Sequence, residues 1–306
     1  MAYWHQRTVG KRVLCSGVGL HSGRPATIVL APAAPDAGIT FVRMDLRAEI
    51  PARSAYVADT TLSTNLAAGA ARIHTVEHVL SALTGMGIDN CRVEVDGPEI
   101  PILDGSAAPF VALVREAGVV EQRQGKRFLV MVRPVEVRDG DKLARLEPAE
   151  SLFIEFTVDF KHPLVTDQAF RFAFSDRAYE REVARARTFC FLRDIEQMQA
   201  VGLAKGGSLE NAIVVDDFSI LNPEGLRFPD EFARHKVLDA IGDLSLAGLP
   251  VIGHFRAYKS GHGLNQALVR KVLSDPSCHM VVRVSAEKEL EPLRLRLPLL
   301  GGAEAR

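Results

Sequence analysis

The chain has 306 residues, 25% charged and 47% hydrophobic, the composition of a soluble protein able to bury the core of one large or two smaller domains. Lys and Arg number 37 against 38 Asp and Glu, so the net charge of −1 removes any global argument for nucleic acid as a partner. Cys15, Cys91, Cys190 and Cys278 lie far apart with no Cys-x-x-Cys, which speaks against a disulfide framework and a thiolate zinc site.

In chain order, the opening Met1-Ala-Tyr-Trp-His-Gln-Arg-Thr has no signal-peptide apolar region, and no apolar run approaches ~18 residues. A cytoplasmic chain without an integral membrane segment is the expectation. Strand-type segments follow at 27–30, 39–43 and 55–62, separated by Pro and Gly. In the stretch 74–87, Val76, Val79, Leu80 and Leu83 fall at i, i+3, i+4 and i+7, which predicts an amphipathic helix with Thr75 as N-cap and Gly85 or Gly87 as its stop. Glu77 and His78 sit off that apolar stripe and should point away from their own core. A strand at 91–95 and a helix from about 106 to 117 complete the first half.

The polar stretch 119–127 reads as a joint. Strands are expected at 128–137, 144–147 and 153–160, and 176–187 reads as a charged helix. The run His235-Lys-Val-Leu-Asp-Ala-Ile-Gly-Asp243 reads as a helix that sets His235 and Asp239 one turn apart, the spacing at which two side chains can close on one ion. Zinc suits an imidazole and a carboxylate and leaves a position for water in catalytic sites. A strand at 251–258 leads to His262, read as a loop residue between Gly261 and Gly263, and a helical pattern covers 264–273. His78-Val-Leu-Ser-Ala-Leu-Thr-Gly and His235-Lys-Val-Leu-Asp-Ala-Ile-Gly both run from His to Gly with a strand after each, which hints at a duplicated unit with a site between its halves.

These residues together make a metal-hydrolase kit. Neighbouring helical residues diverge by about 100°. His78 is therefore assigned as a metal ligand and Glu77 as the base that addresses the water, as in zinc proteases with adjacent His and Glu. His235 and Asp239 supply further ligands, and Asp243 sits behind them. A carboxylate such as Asp243 would orient His262 and raise its pKa, so that the imidazolium can act as general acid.

The strings Gly17-Val-Gly-Leu-His-Ser-Gly23, His74-Thr-Val-Glu-His78, Pro101-Ile-Leu-Asp-Gly-Ser-Ala-Ala-Pro-Phe110, Arg187-Thr-Phe189, His235-Lys-x-x-Asp-Ala-Ile-Gly-Asp243 and Lys259-Ser-Gly-His262 resemble the UDP-3-O-acyl-N-acetylglucosamine deacetylases, from about residue 7 to about residue 275. That family carries out the committed step of lipid A synthesis in Gram-negative bacteria. The resemblance implies an α+β fold of two similar domains, each a two-layer sandwich of a sheet against helices, with the active site at their interface. The division expected is 1–122, with the Glu77/His78 helix, and 127–290, with the His235/Asp239 helix and the His262 loop; 291–306 is a tail that matches no motif.

By the same resemblance, His78, His235 and Asp239 hold one Zn2+, with Fe2+ as the alternative ion in the cell. Glu77 is the base, Thr188 stabilises the acetyl oxyanion, and His262, held by Asp243, protonates the leaving nitrogen. Lys142, Lys236 and Lys259 face the nucleotide diphosphate, and Phe160 stacks on uracil beside Asp159. Leu20, Phe189, Phe191, Ile195, Met198, Gly207, Ser208, Ala212 and Val214 line an apolar channel for the fatty chain. Cys190 stands where the family commonly has Gly, which would shift the backbone beside Thr188.

The expected partner is a small molecule, a UDP-linked acylated amino sugar, met by a monomer with transient membrane proximity. Two other readings stay open: a zinc amidase acting on another acylated or nucleotide sugar, and a non-catalytic binding protein for a nucleotide-sugar lipid.

Overall fold

The computed structural model describes residues 4–286 and 289. The tail 291–306 lies outside the described residues. The first half is built from β1 (His5–Val9), β2 (Val13–Val18), β3 (Pro25–Pro32), β4 (Ile39–Arg43), β5 (Ala48–Pro51), β6 (Val57–Asp59), β7 (Asn65–Ala68), β8 (Ala71–Ile73), α1 (Glu77–Gly85), β9 (Cys91–Val95) and α2 (Ala108–Ala117). Strands β2-β3-β9-β4-β5 form one sheet, antiparallel except for the β4–β9 pair, and β6-β7-β8 form a second.

The second half comprises β10 (Val119–Met131), β11 (Val135–Asp139), β12 (Lys142–Glu147), β13 (Leu152–Val158), β14 (Gln168–Ala173), α3 (Asp176–Ala178), β15 (Phe189–Phe191), α4 (Leu192–Ala200), β16 (Ile213–Val215), α5 (Glu231–Ser245), β17 (Val251–Tyr258), α6 (His262–Ser274) and β18 (His279–Val284). A π-helical turn at Tyr179–Val183 continues α3. The main sheet runs β1-β10-β17-β12-β11, with β13 on β17, β14 on β13 and β18 on β10. The architecture is α+β, with sheets layered against helices.

Alternation explains which faces are covered. In β13, Leu152, Ile154, Phe156 and Val158 are buried while the residues between them are not. Each such fully buried side chain contributes roughly 1.5–3 kcal/mol of transfer free energy. Helix α5 is buried on nearly all sides, because α1 covers one face, β13 and β14 another, and α6 lies alongside. Val79, Leu80 and Leu83 of α1 join Leu238, Ile241 and Leu244 of α5 in one apolar cluster spanning both halves.

The polar stretch 119–127, read as a joint, is strand. Val119–Gly125 pairs with β1, and Lys126–Met131 pairs with β18 and, at Leu129 and Val130, with β17. The strand expected at 153–160 ends at Val158, so Phe160 lies beyond it.

Candidate metal centre and active site

Helix α1 begins at Glu77, with Val76 rather than Thr75 at its N-cap position. Thr75 is held in left-handed backbone (φ 61) and is buried. Its N–H donates to Asn65 Oδ1 (3.2 Å) and its hydroxyl to Glu99 Oε1 (3.3 Å), so it builds the preceding turn instead of capping the helix. Glu77 and His78 leave the apolar stripe as expected, yet they are 3% and 4% exposed, because α5 covers them.

That cover brings three candidate ligands together. Among the described residues, His78, His235 and Asp239 form the one convergent cluster of metal-binding side chains, their ligand atoms within 4.8 Å of one another and all buried. Nε2 of His235 lies 3.3 Å from Asp239 Oδ1, and Nε2 of His78 lies 3.6 Å from it. The two imidazoles meet edge to face with centroids 5.1 Å apart. Asp239 Oδ1 is buried without a hydrogen-bond partner, an arrangement that costs free energy unless something else binds it. Ligands 2.0–2.1 Å from a tetrahedral zinc would stand roughly 3.3–3.4 Å apart. The donor set suits such an ion, and the two separations from Asp239 Oδ1 lie close to that spacing.

The remaining atoms orient the ligands. His235 Nδ1 faces the Ala186 carbonyl at 3.1 Å, which leaves Nε2 as the ligand nitrogen. Burial drives the His235 pKa down to about 3, so the ring is neutral and its lone pair available. Burial alone would raise the Asp239 carboxyl, but His235 and Lys236 hold it well below its ordinary range. Lys236 Nζ donates to Asp239 Oδ2 at 2.7 Å.

Beside this cluster, Glu77 Oε1 and His262 Nε2 face one another across 3.9 Å. His262 Nδ1 bonds Asp243 Oδ2 at 2.9 Å, and Asn265 Nδ2 donates to the same oxygen at 2.9 Å. Burial disfavours the imidazolium, but the Asp243 charge and hydrogen bond outweigh it and raise the His262 pKa to about 9. Burial also raises the Glu77 carboxyl. His262 is not on a flexible loop: it is the first residue of α6, and neither flanking glycine has positive φ. The turn is made three residues earlier, at Lys259 (φ 52). A buried carboxylate, a charged imidazole and a candidate metal cluster side by side are the groups that metal-assisted hydrolysis requires.

A family model described as LpxC, UDP-3-O-acyl N-acetylglycosamine deacetylase, matches residues 6–274. The chain belongs to this deacetylase family. A protein of Anaeromyxobacter sp. (strain Fw109-5) named UDP-3-O-acyl-N-acetylglucosamine deacetylase is 71% identical over 301 residues, covering 97% of this chain and 99% of that one. Proteins of the same name from Anaeromyxobacter dehalogenans (strain 2CP-C) and Myxococcus xanthus (strain DK1622) are 71% and 58% identical, each over 98% of this chain and 97% and 96% of their own length.

The other residues expected from membership of the deacetylase family fall into two groups. Lys259 Nζ bridges Asp159 Oδ2 (2.9 Å) and Asp141 Oδ2 (2.8 Å), and with Tyr258 and Thr166 it holds the Asp159 pKa at about 2. Lys142 lies on β12, next to the strand that ends at Tyr258, but is exposed and turned towards Asp139 at 3.4 Å. Phe160 meets Phe189 and Phe191 edge-on (5.6 and 5.4 Å), and Phe189 in turn lies 6.3 Å from His235 and 5.6 Å from Lys236 Nζ.

The second group borders the first half. Gly206 N–H donates to Leu20 O (3.0 Å) and Lys205 N–H to His21 O (3.2 Å), which docks the 203–207 loop on the Gly19–Gly23 turn. A Cβ at Gly206 would meet Gly19 O at 2.2 Å, and one at Gly207 would stand 3.8 Å from Leu20 Cδ1. Ser208 O accepts from Ala212 N–H, and Ala212 and Val214 are buried. Ile195 and Met198 lie on α4, where no residue is fully buried. Cys190 pairs with Val214 in β15–β16 and is not in left-handed backbone; burial raises its thiol to about 11.

A cavity of about 290 Å³ bordered by His162, Phe191, Leu192, Arg193, Val215 and Asp216 opens beside this segment. Another, of about 120 Å³, lies behind the α1–α5 pair, bordered by Leu80, Ile241, Leu244 and Phe174, away from the ligands.

Two contributors were outside the reach of the motifs. The Ala186 carbonyl is backbone and carries no side-chain signal. Thr64 donates its N–H to Glu77 Oε2 (3.0 Å) and its hydroxyl to Asp243 Oδ1 (2.6 Å), yet in sequence it is one threonine among several in 60–64.

Proposed function

We propose that this chain is a zinc-dependent amidohydrolase that removes the N-acetyl group of UDP-3-O-(3-hydroxyacyl)-N-acetylglucosamine. The products are acetate and the free 2-amine, the committed step of lipid A biosynthesis. The observation that carries this reading is the meeting of His78, His235 and Asp239 around an unpaired buried carboxylate oxygen. Membership of the deacetylase family supports the substrate.

In this reading His78, His235 and Asp239 hold one zinc ion, which when bound polarises the acetyl carbonyl and lowers the pKa of water towards ~7. Glu77 takes a proton from the attacking water with Oε1, the oxygen that faces His262. The Thr188 hydroxyl has no hydrogen-bond partner among the described residues and is free to donate to the acetyl oxygen as negative charge grows there. When the C–N bond breaks, His262 Nε2 delivers its proton to the sugar nitrogen, so the amine leaves neutral. Asp243 keeps that imidazole charged and aimed.

Lys236, Lys259 and Lys142 bind the diphosphate, Asp159 and Phe160 the uracil, and the segment from Phe189 to Val214, with Leu20, the fatty chain. We further propose a division at 122–127, supported by the change of pairing partner along β10, and a cytoplasmic monomer. Among the described residues no helix is long and apolar enough to cross a membrane.

The deciding experiment measures metal content and turnover together. Chelated protein should be inactive and regain turnover with about one zinc per chain, on UDP-acyl-N-acetylglucosamine far better than on simple N-acetyl sugars. Full activity after chelation, or equal use of simple sugars, would overturn the reading.

A further inference from the structure

Four residues around the acid and base form a closed circuit. Thr64 N–H bonds Glu77 Oε2 (3.0 Å), Glu77 Oε1 faces His262 Nε2 (3.9 Å), His262 Nδ1 bonds Asp243 Oδ2 (2.9 Å), and Asp243 Oδ1 accepts from Thr64 Oγ1 (2.6 Å). Three links are hydrogen bonds. The fourth is a gap too wide for one.

The gap needs an explanation. A carboxylate and an imidazolium buried side by side attract strongly in a medium that screens poorly. Left to themselves they would close to hydrogen-bond contact, each occupying the atom that the other needs for chemistry. Both partners must be held from behind, and Thr64 holds both. It is fully buried, and its carbonyl is also fixed, accepting from Val76 N–H (3.1 Å) at the start of α1. All its polar groups are thus committed: one to the helix, one to the base, one to the carboxylate that carries the acid.

We propose that Thr64 is a positioning residue that keeps Glu77 and His262 apart, preserving the space in which water and the leaving nitrogen meet them. Its hydroxyl pins Asp243, and through it His262, while its N–H draws the far oxygen of Glu77 away from the imidazole. The inference rests on the roles proposed above for Glu77 and His262. It adds a residue that touches neither the metal ligands nor, on this reading, the substrate.

The test uses near-isosteric changes in the full chain loaded with zinc. Thr64→Val removes only the hydroxyl hydrogen bond and keeps the N–H to Glu77, while Thr64→Ser retains both. In a crystal structure of Thr64→Val, Glu77 Oε1 and His262 Nε2 should close to hydrogen-bond distance. Its kcat should fall roughly 10- to 100-fold, part of the 10²–10⁴ that general acid–base catalysis supplies, with KM and zinc affinity within about threefold of the parent. Thr64→Ser should restore both the gap and kcat, and in an Asp243→Asn background Thr64→Val should add little.

An unchanged gap in Thr64→Val, or Ser performing no better than Val, would overturn the proposal. Failure of the underlying reading looks different: Glu77→Gln and His262→Gln would then turn over at the parent rate.

Discussion

Gly242 of α5 lies directly against Glu77, the first residue of α1: a Cβ at Gly242 would come within 2.2 Å of the Glu77 carbonyl oxygen and 3.0 Å of its Cα. Backbone cannot yield as a flexible side chain can, so this contact sets how closely the two ligand-bearing helices approach. Gly242→Ala should separate them and draw His78 away from His235 and Asp239. Alanine is favoured over glycine in helices by about 1 kcal/mol, so a fall in Tm accompanied by at least tenfold weaker zinc binding, read by chelator competition, would isolate the steric effect. Unchanged zinc affinity would refute it.

The charged state of His262 predicts a pH limb. Its pKa is raised to about 9, so the proton donor is present below that value and kcat/KM should decline above it. Asp243→Asn removes the negative charge that opposes burial, and the alkaline limb should move to lower pH. A limb that stays in place would separate Asp243 from the acid.

The same group links folding to pH. In chelated protein the His262 imidazolium, with a pKa of about 9 folded against ~6.5 unfolded, adds stability that is fully present below ~6.5 and is lost as pH rises through about 9. The Tm difference between parent and His262→Gln should shrink over that window. A difference that grows with pH would contradict the assignment.

Arg187 and Glu231 form a second buried framework. Arg187 is 1% exposed and Glu231 0%, with Nε to Oε1 at 2.9 Å and Arg187 N–H to the same oxygen at 3.0 Å. The pair ties the strap carrying Ala186 and Thr188 to the first residue of α5. Arg187→Met leaves the Glu231 charge buried without its partner and should cost about 3–5 kcal/mol, measured by denaturant unfolding. A loss below about 1 kcal/mol would show that the pair is dispensable.

Lys259 is shared between Asp141 and Asp159, so a diphosphate would have to compete for it. Asp141 is well exposed, and Asp141→Asn should lower KM by up to roughly fivefold, as expected for loss of a weak exposed competitor, with kcat unchanged. A higher KM would place the diphosphate elsewhere.

What could be read in advance followed spacing. His235 and Asp239 were legible because one helical turn aligns them whatever packs around them, and Val76, Val79, Leu80 and Leu83 marked the buried face of α1 for the same reason. Thr75 looked like a cap by residue type, but two side chains bind it in left-handed backbone, a tertiary cause that no local pattern records. His262 looked like a loop residue because glycines flank it, and is instead the first turn of a helix packed on α5. The polar segment 119–127 hid a strand, since its side chains mostly face outwards while its backbone is paired. Thr64 carried no signal because its role depends on two carboxylates, one of them 179 residues away.

Strand β10 runs 13 residues without interruption, laddered to β1 along its first part and to β18 along its last. It acts as a splint across the proposed boundary. Swinging one half away from the other at 122–127 would tear hydrogen bonds from the β1 ladder and pull α1 off α5. Separating the two halves and taking apart the cluster of His78, His235 and Asp239 would therefore be one event.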